Sequence, residues 1–169
     1  MDQKIRLGIS ACLVGQNVRY DGGHKLDRFI TDTLGKYVEF VPVCHEAECG
    51  LGAPREAMHL AGKPQAPRLI TRTTGRDHTE LLIAWAEKRV RELERDNLCA
   101  FIFKSRSPSC GMAQVQVHDV RDLPQKEGVG LFARVFMAHY PLLPVIDEER
   151  FQDPAQRADF TARLFASKT

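Results

Sequence analysis

Three short apolar runs, residues 5–9, 37–43 and 98–104, each lead into a polar or Gly/Pro-rich loop that carries a cysteine. Cys12 follows Ile9-Ser10-Ala11, Cys44 follows Val41-Pro42-Val43, and Cys110 stands in Ser107-Pro108-Ser109-Cys110-Gly111. Strands buried on both faces of a parallel sheet read as continuous apolar runs of this kind. If the three are parallel neighbours, their following loops meet at one sheet edge, the edge where open α/β sheets bind ligands. The chain is thereby constrained to bring three thiols together from distant parts of the sequence.

The segments between these runs have helical spacing. Leu26, Phe29, Ile30 and Leu34 share a face, and Gly35 is a natural stop. Asp77 and Glu80 have capping-box spacing ahead of the stripe Leu82, Ala86, Val90 and Leu93, which predicts a long helix ending near Asn97. Residues 128–139 predict another helix. Asp153-Pro154 is an N-cap followed by proline at the first helical position of a last helix reaching about Ala166. Residues 69–73 read as an edge strand, 115–117 as a peripheral strand and 142–146 as a final strand, and a short helix is expected near Arg55. Strands alternating with helices give an α/β fold, a single domain over residues 1–169 with a mainly parallel β-sheet flanked by helices. The arrangement is Rossmann-like, with the functional centre at the C-terminal edge of the strands.

At 169 residues the chain is long enough to bury a proper core, and 43% hydrophobic with 27% charged residues is an ordinary globular balance. A formal charge of +2 gives no electrostatic case for long nucleic acid or an anionic membrane. No apolar run approaches the ~20 residues of a transmembrane helix. Met1-Asp2-Gln3-Lys4 lacks the features of a signal peptide, so a cytoplasmic location is expected.

Five widely spaced cysteines do not suggest a disulfide framework. Cys99, inside a strongly apolar run, is read as a core residue. Soft thiolates select zinc, copper(I) or Fe–S clusters, and structural zinc favours a CxxC knuckle, which is absent. Cys12, Cys44 and Cys110 therefore suggest a metal or Fe–S centre with one position open for chemistry. Whether Cys49 or His45 closes that position is left open. Two other classes compete: a non-enzymatic Fe–S or zinc protein with a redox-sensing or structural role, and a metal-free enzyme using one cysteine as a persulfide-forming nucleophile.

Four motifs bear on that choice. Ile9-Ser10-Ala11-Cys12, Val18-Arg19-Tyr20-Asp21-Gly22-Gly23-His24-Lys25, Pro42-Val43-Cys44-His45-Glu46 and Lys104-Ser105-Arg106-Ser107-Pro108-Ser109-Cys110-Gly111 together resemble the thiouracil desulfurase family. The resemblance runs from about residue 5 to 150. It implies an α/β protein with a [4Fe–4S] cluster held by three cysteines, here Cys12, Cys44 and Cys110, with one iron left open. It implies removal of sulfur from a thiolated uracil derivative, 2-thiouracil or 4-thiouridine monophosphate, without net redox change. The partner is then a small thiolated pyrimidine base or nucleotide. One departure is visible: the family usually has proline where this chain has His45.

Within that resemblance Glu46, beside a cluster cysteine, is the acid/base candidate. Asp21 is a second proton-transfer or hydrogen-bonding candidate, and Ser109 and Ser107 are candidates for contacts to substrate or cluster sulfur. Lys104, Arg106, Arg19 and Lys25 offer cations for a nucleotide phosphate, and the backbone of Gly22 and Gly23 offers N–H donors. Plainer readings stand beside these: Asp21-Gly22-Gly23 as a turn, Ser-Pro-Ser as a cap, the basic residues as surface charge. His24 is read as orienting its loop, Trp85 as packing, His118 and His139 as structural or exposed, and Glu148 and Glu149 as leading into the last helix.

Overall fold

The computed structural model describes residues 3–167. Met1 and Asp2, which open the N-terminal stretch read above, and the last two residues lie outside the described residues. Period-two alternation sets the faces of the first strand, β1 (Ile5–Ser10): Ile5, Leu7 and Ile9 enter one core. It pairs in parallel with β2 (Val38–Val43) on one side and with the run at residues 100–103 on the other. The buried strands expected from the three apolar runs are thus neighbours.

The elements follow in order as α1 (Arg28–Leu34) between β1 and β2, then β3 (Met58–Lys63), β4 (Ala66–Thr71) and α2 (Thr79–Glu92). After these come β5 (Ala100–Phe103), β6 (Val115–His118), β7 (Pro124–Gly128), α3 (Leu131–His139), β8 (Val145–Asp147) and α4 (Pro154–Ala166). The first sheet has order β2-β1-β5-β8, with every pair parallel. On one face Leu7, Ile9, Ala100 and Ile102 pack with Ile30 and Leu34 of α1 and Phe160 and Leu164 of α4. On the other, Val43, Phe101 and Phe103 pack with Ala86 and Val90 of α2 and Phe132 and Phe136 of α3. Among the described residues no helix is long and apolar enough to cross a membrane.

The α/β reading holds, and the structure adds a second sheet of order β4-β3-β6-β7. Of the residues 69–73 read as an edge strand, 69–71 belong to it and 72–73 lie in the turn beyond; 115–117, read as a peripheral strand, belong to it as well. The helix expected near Arg55 is corrected: that stretch leads into β3, which forms a hairpin with β4, Met58 opposite Thr71 and Lys63 opposite Ala66. The capping box at Asp77 and Glu80 is corrected too. Arg68 of β4 takes both carboxylates, donating to Asp77 Oδ2 at 2.9 Å and to Glu80 Oε1 at 2.7 Å, so Glu80 does not reach back to the cap. Asp77 instead accepts from the Thr79 N–H, and the helix starts at Thr79. At the other termini local chemistry prevails. Asp27 caps α1 by accepting from the Ile30 N–H, and Asp153 caps α4 from Gln156, with Pro154 following as expected.

The start of α3 is capped by another loop rather than by a side chain. Its first N–H groups have no partner inside the helix. They are satisfied by the cysteine loop after β5: Gly130 N–H donates to Gly111 O at 2.7 Å, Leu131 to Pro108 O, and Phe132 and Ala133 both to Ser109 O. The approach demands glycine at 130, because a Cβ there would stand 2.5 Å from the Ser109 carbonyl and 2.8 Å from the Cys110 nitrogen. Those are backbone atoms that cannot swing away. Gly130→Ala is expected to destabilise the fold by about 1–3 kcal/mol. The expected readout is a lower urea midpoint with an unchanged m value; an unaltered midpoint would refute the close-docking account.

Candidate active site

Parallel pairing puts the strand ends level. Ile9 and Ser10 stand opposite Pro42 and Val43, Ile9 opposite Ile102, and Phe103 opposite Asp147. The residues just beyond, Cys12, Cys44, Lys104 and Glu148, therefore leave the sheet at one edge. Ser10 ties two of these exits together, its Oγ accepting from the Lys104 N–H at 2.9 Å. Above the edge lies a cavity of about 360 Å³ that Cys12, Cys44 and Cys110 all line.

Cys12 and Cys110 are buried and Cys44 is half-buried. Burial pushes the Cys12 thiol up to about 11, and a charge on Cys44 adds to it. Burial likewise raises Cys44, and it raises Cys110 well above the usual thiol range, with Cys44 next in effect. A charge on Cys44 thus disfavours ionisation of Cys12 and Cys110. A metal-free nucleophile needs the opposite, a lowered thiol pKa. A bound cationic centre inverts the balance, because a coordinating thiol is deprotonated outright.

The spacing discriminates further. Among the described residues no three of the His, Cys, Asp and Glu side chains are grouped closely enough to hold one metal ion. One zinc would draw its thiolates in to ~2.3 Å each. A cluster takes each cysteine on a different iron, and three thiols lining one cavity are compatible with that arrangement.

Of the two candidate fourth ligands, His45 lines the cavity with the three cysteines and Cys49 does not. Cys49 is absent from the cavity lining; it packs beside Met58 and Leu60, with its thiol on Glu46 O at 3.3 Å. His45 is fully buried, its ring centroid 4.8 Å from that of Phe132 and 5.2 Å from that of Trp85. Burial, then the Arg55 charge, lowers its pKa to about 3. Its Nδ1 lies 4.0 Å from Cys110 Sγ.

Among the described residues Glu46 is the carboxylate that lines the cavity, and it is held at both oxygens. Arg55 donates to Glu46 Oε2 from Nε at 2.9 Å and from Nη2 at 2.6 Å, while the Ser109 hydroxyl donates to Oε1. Arg55 is itself fixed by Nη1 donating to Val18 O and Gly52 O, both at 2.7 Å. The sequence reading missed Arg55. It is nine residues from Glu46 with a glycine-rich turn between, and no periodicity or motif links the two.

The other expected residues divide. Arg19, Lys25, Lys104, Arg106, Ser107 and Ser109 line the cavity, whereas Asp21, Gly22 and Gly23 do not. Asp21 accepts from the Gly23 N–H, and Gly22 N–H bonds Arg19 O with φ 78°, which is a self-contained turn. Ser107 Oγ accepts from the Ser109 and Cys110 N–H groups, so it shapes the cysteine loop. Lys25 N–H donates to Cys12 O, and His24 accepts from the Leu26 N–H, in keeping with a loop-orienting role.

Glu148 is corrected: it does not open the last helix but holds Lys104 and Ser105, two residues of the cavity lining, from behind. Its carboxylate accepts from Lys104 Nζ at 2.5 Å and from both the N–H and the hydroxyl of Ser105. Burial disfavours its charge, yet these hydrogen bonds prevail and hold it below the usual carboxylate range. Lys104 is thereby already neutralised. Glu149 pairs with Arg106 at the surface, also ahead of the helix. Cys99 packs on the first core and Trp85 on the second, as read; His118 pairs with Asp122 and His139 with Glu94.

Comparison with known proteins agrees with this geometry. A family model described as 2-thiouracil desulfurase matches residues 7–148. The uncharacterised protein YbbK of Bacillus subtilis (strain 168) is 32% identical over 108 residues, covering 61% of this chain and 71% of its own. Among solved structures, the [4Fe-4S]-dependent thiouracil desulfidase TudS (DUF523Vcz) superposes with a TM-score of 0.72 at 26% identity, over 94% of this chain and 99% of that one. With its three thiols and a clamped glutamate around one cavity, this chain belongs to the 2-thiouracil desulfurase family.

Proposed function

We propose that this chain is a [4Fe–4S]-dependent desulfidase that exchanges the sulfur of a thiolated uracil compound for oxygen. Thiocarbonyl and water give carbonyl and hydrogen sulfide, with no net electron transfer. The observation that carries the reading is the Arg55–Glu46–Ser109 chain standing in the cavity that Cys12, Cys44 and Cys110 share. Those three cysteines would hold the cluster.

When bound, the cluster supplies a soft Lewis acid for the thiocarbonyl sulfur. The chain supplies the proton chemistry. Glu46 takes a proton from water as it attacks the ring carbon, and returns it to a ring nitrogen or to the departing sulfide. Ser109 and Arg55 fix the two carboxylate oxygens, so Glu46 enters the reaction already oriented. Arg55 acts through Glu46 and is a positioning residue. The substrate is a small molecule met in the cytoplasm, with 4-thiouridine monophosphate preferred to 2-thiouracil because Arg19, Lys25, Arg72 and Arg106 also line the cavity. A net charge of +2 supports a small substrate over long nucleic acid.

Anaerobic reconstitution is expected to give brown protein with about four irons and four sulfides that releases sulfide from thiolated uracil compounds. Serine at position 12, 44 or 110 should each abolish cluster binding, while Cys49→Ala keeps it. A colourless protein binding one zinc would overturn the reading, as would a need for only one of the three cysteines. Glu46→Gln should retain the cluster spectrum and lose about 100-fold or more in sulfide release; undiminished turnover would remove Glu46 from the chemistry. Arg55→Met should lower kcat about 10- to 100-fold with KM little changed, and Arg55→Lys should recover part of it. A loss confined to KM would instead make Arg55 a substrate ligand.

A further inference from the structure

One polar side chain beside the cysteines is buried and only half satisfied. His45 stands between Cys44 and Glu46 in the loop after β2. Its imidazole is fully buried, packed against Trp85 of α2 and Phe132 of α3. Among the described residues its Nε2 has no hydrogen-bond partner. A phenylalanine would fill an aromatic pocket of this kind without burying a polar atom, so packing alone does not account for an imidazole.

The other ring nitrogen does. Nδ1 faces Cys110 Sγ at 4.0 Å, a long contact that suits a neutral thiol, which is a weak acceptor. A metal-bound thiolate carries charge and accepts more strongly. Ser10 meets the same sulfur. Its Oγ accepts the Lys104 N–H, which leaves the hydroxyl proton to donate to Cys110. Cys110 is buried, and a buried thiolate needs partners of this sort.

Satisfaction of the ring selects its tautomer. A neutral imidazole carries one proton. On Nε2 that proton would be a buried donor without an acceptor; on Nδ1 it faces sulfur. The flanking rings of Trp85 and Phe132 keep that edge of the imidazole toward Cys110.

Resting on the cluster reading, we infer that His45 carries its proton on Nδ1 and donates a hydrogen bond to Cys110 as a cluster-bound thiolate. His45 is a positioning residue that acts through Cys110. The bond draws charge from the sulfur, which eases addition of an electron to the cluster, and it orients the thiolate toward its iron. With Nδ1 committed to Cys110, His45 does not close the open iron position.

The test uses cluster-loaded protein under anaerobic conditions and reads the cluster rather than turnover. His45→Phe keeps the aromatic packing and removes the donor. Its reduction potential should be more negative than that of the unsubstituted protein, and a chelator should strip its iron about tenfold faster. His45→Asn sets an amide N–H close to where Nδ1 stands and should recover most of both losses. A potential unmoved in His45→Phe, or an asparagine variant no better than the phenylalanine one, overturns the inference. The unsubstituted protein gives a measurement that no folding defect can blur. With isotope-labelled histidine, pulsed EPR of its reduced cluster should show a weak nitrogen coupling across the N–H···S contact. A strong coupling, from nitrogen bound directly to iron, or none at all, overturns the donor role. If reconstitution yields no cluster, the desulfidase reading fails instead. Nitrogen NMR of the apoprotein then still decides the tautomer: a His45 proton on Nδ1 is expected, and one on Nε2 overturns the assignment.

Discussion

The structure depends most on the contact between the start of α3 and the cysteine loop after β5. A helix N-terminus offers N–H groups without partners, and a loop of serines, proline and glycine offers carbonyls without partners. Each satisfies the other: four N–H groups from residues 130–133 end on the carbonyls of Pro108, Ser109 and Gly111. Ser107 Oγ closes the turn from inside by accepting from the N–H groups of Ser109 and Cys110. The loop is thus locked to the phenylalanine-rich core beneath α3, and with it Cys110 and the Ser109 hydroxyl that reaches Glu46. One docking event fixes the proposed cluster ligand Cys110 together with Ser109, the partner of the proposed acid/base residue Glu46.

A second constraint is the level edge of the first sheet. Parallel register places the residues after β1, β2, β5 and β8 beside one another, so local sequence around four strands becomes one site. The charges there are arranged in closed pairs, Lys104 with Glu148 and Arg55 with Glu46. Paired in this way, both carboxylates stay in fixed positions close to the thiols. The cations left over lie toward the second sheet and the loop after β1.

What could be read from the chain follows from which interactions are local. The strands of the first sheet stand out because they are buried on both faces, and Asp153-Pro154 stands out because a cap acts within one turn. The motif loops identify Cys12, Cys44, Cys110, Glu46 and Ser109 as cavity residues. The second sheet was hidden because Pro124–Gly128 is almost wholly exposed and polar, and Met58–Lys63 gains its identity from a hairpin partner. Arg68 shows the same limit: its reach from β4 to Asp77 and Glu80 undoes a capping box that neighbouring residues alone would favour. Arg55 and Glu148 act through contacts across loops and strand ends, which no spacing rule encodes.

The wide separation of the three cysteines also bears on how the protein matures. A zinc knuckle gathers ligands a few residues apart and can organise a chain around its metal. Here Cys12 and Cys110 come together only after β1, β2 and β5 have paired and α3 has docked, and long loops must be closed before such contacts form. The polypeptide has to be folded before it has a cradle to fill. On the proposed reading, inorganic iron and sulfur would be loaded into a finished scaffold, and the apoprotein would stand on its own cores.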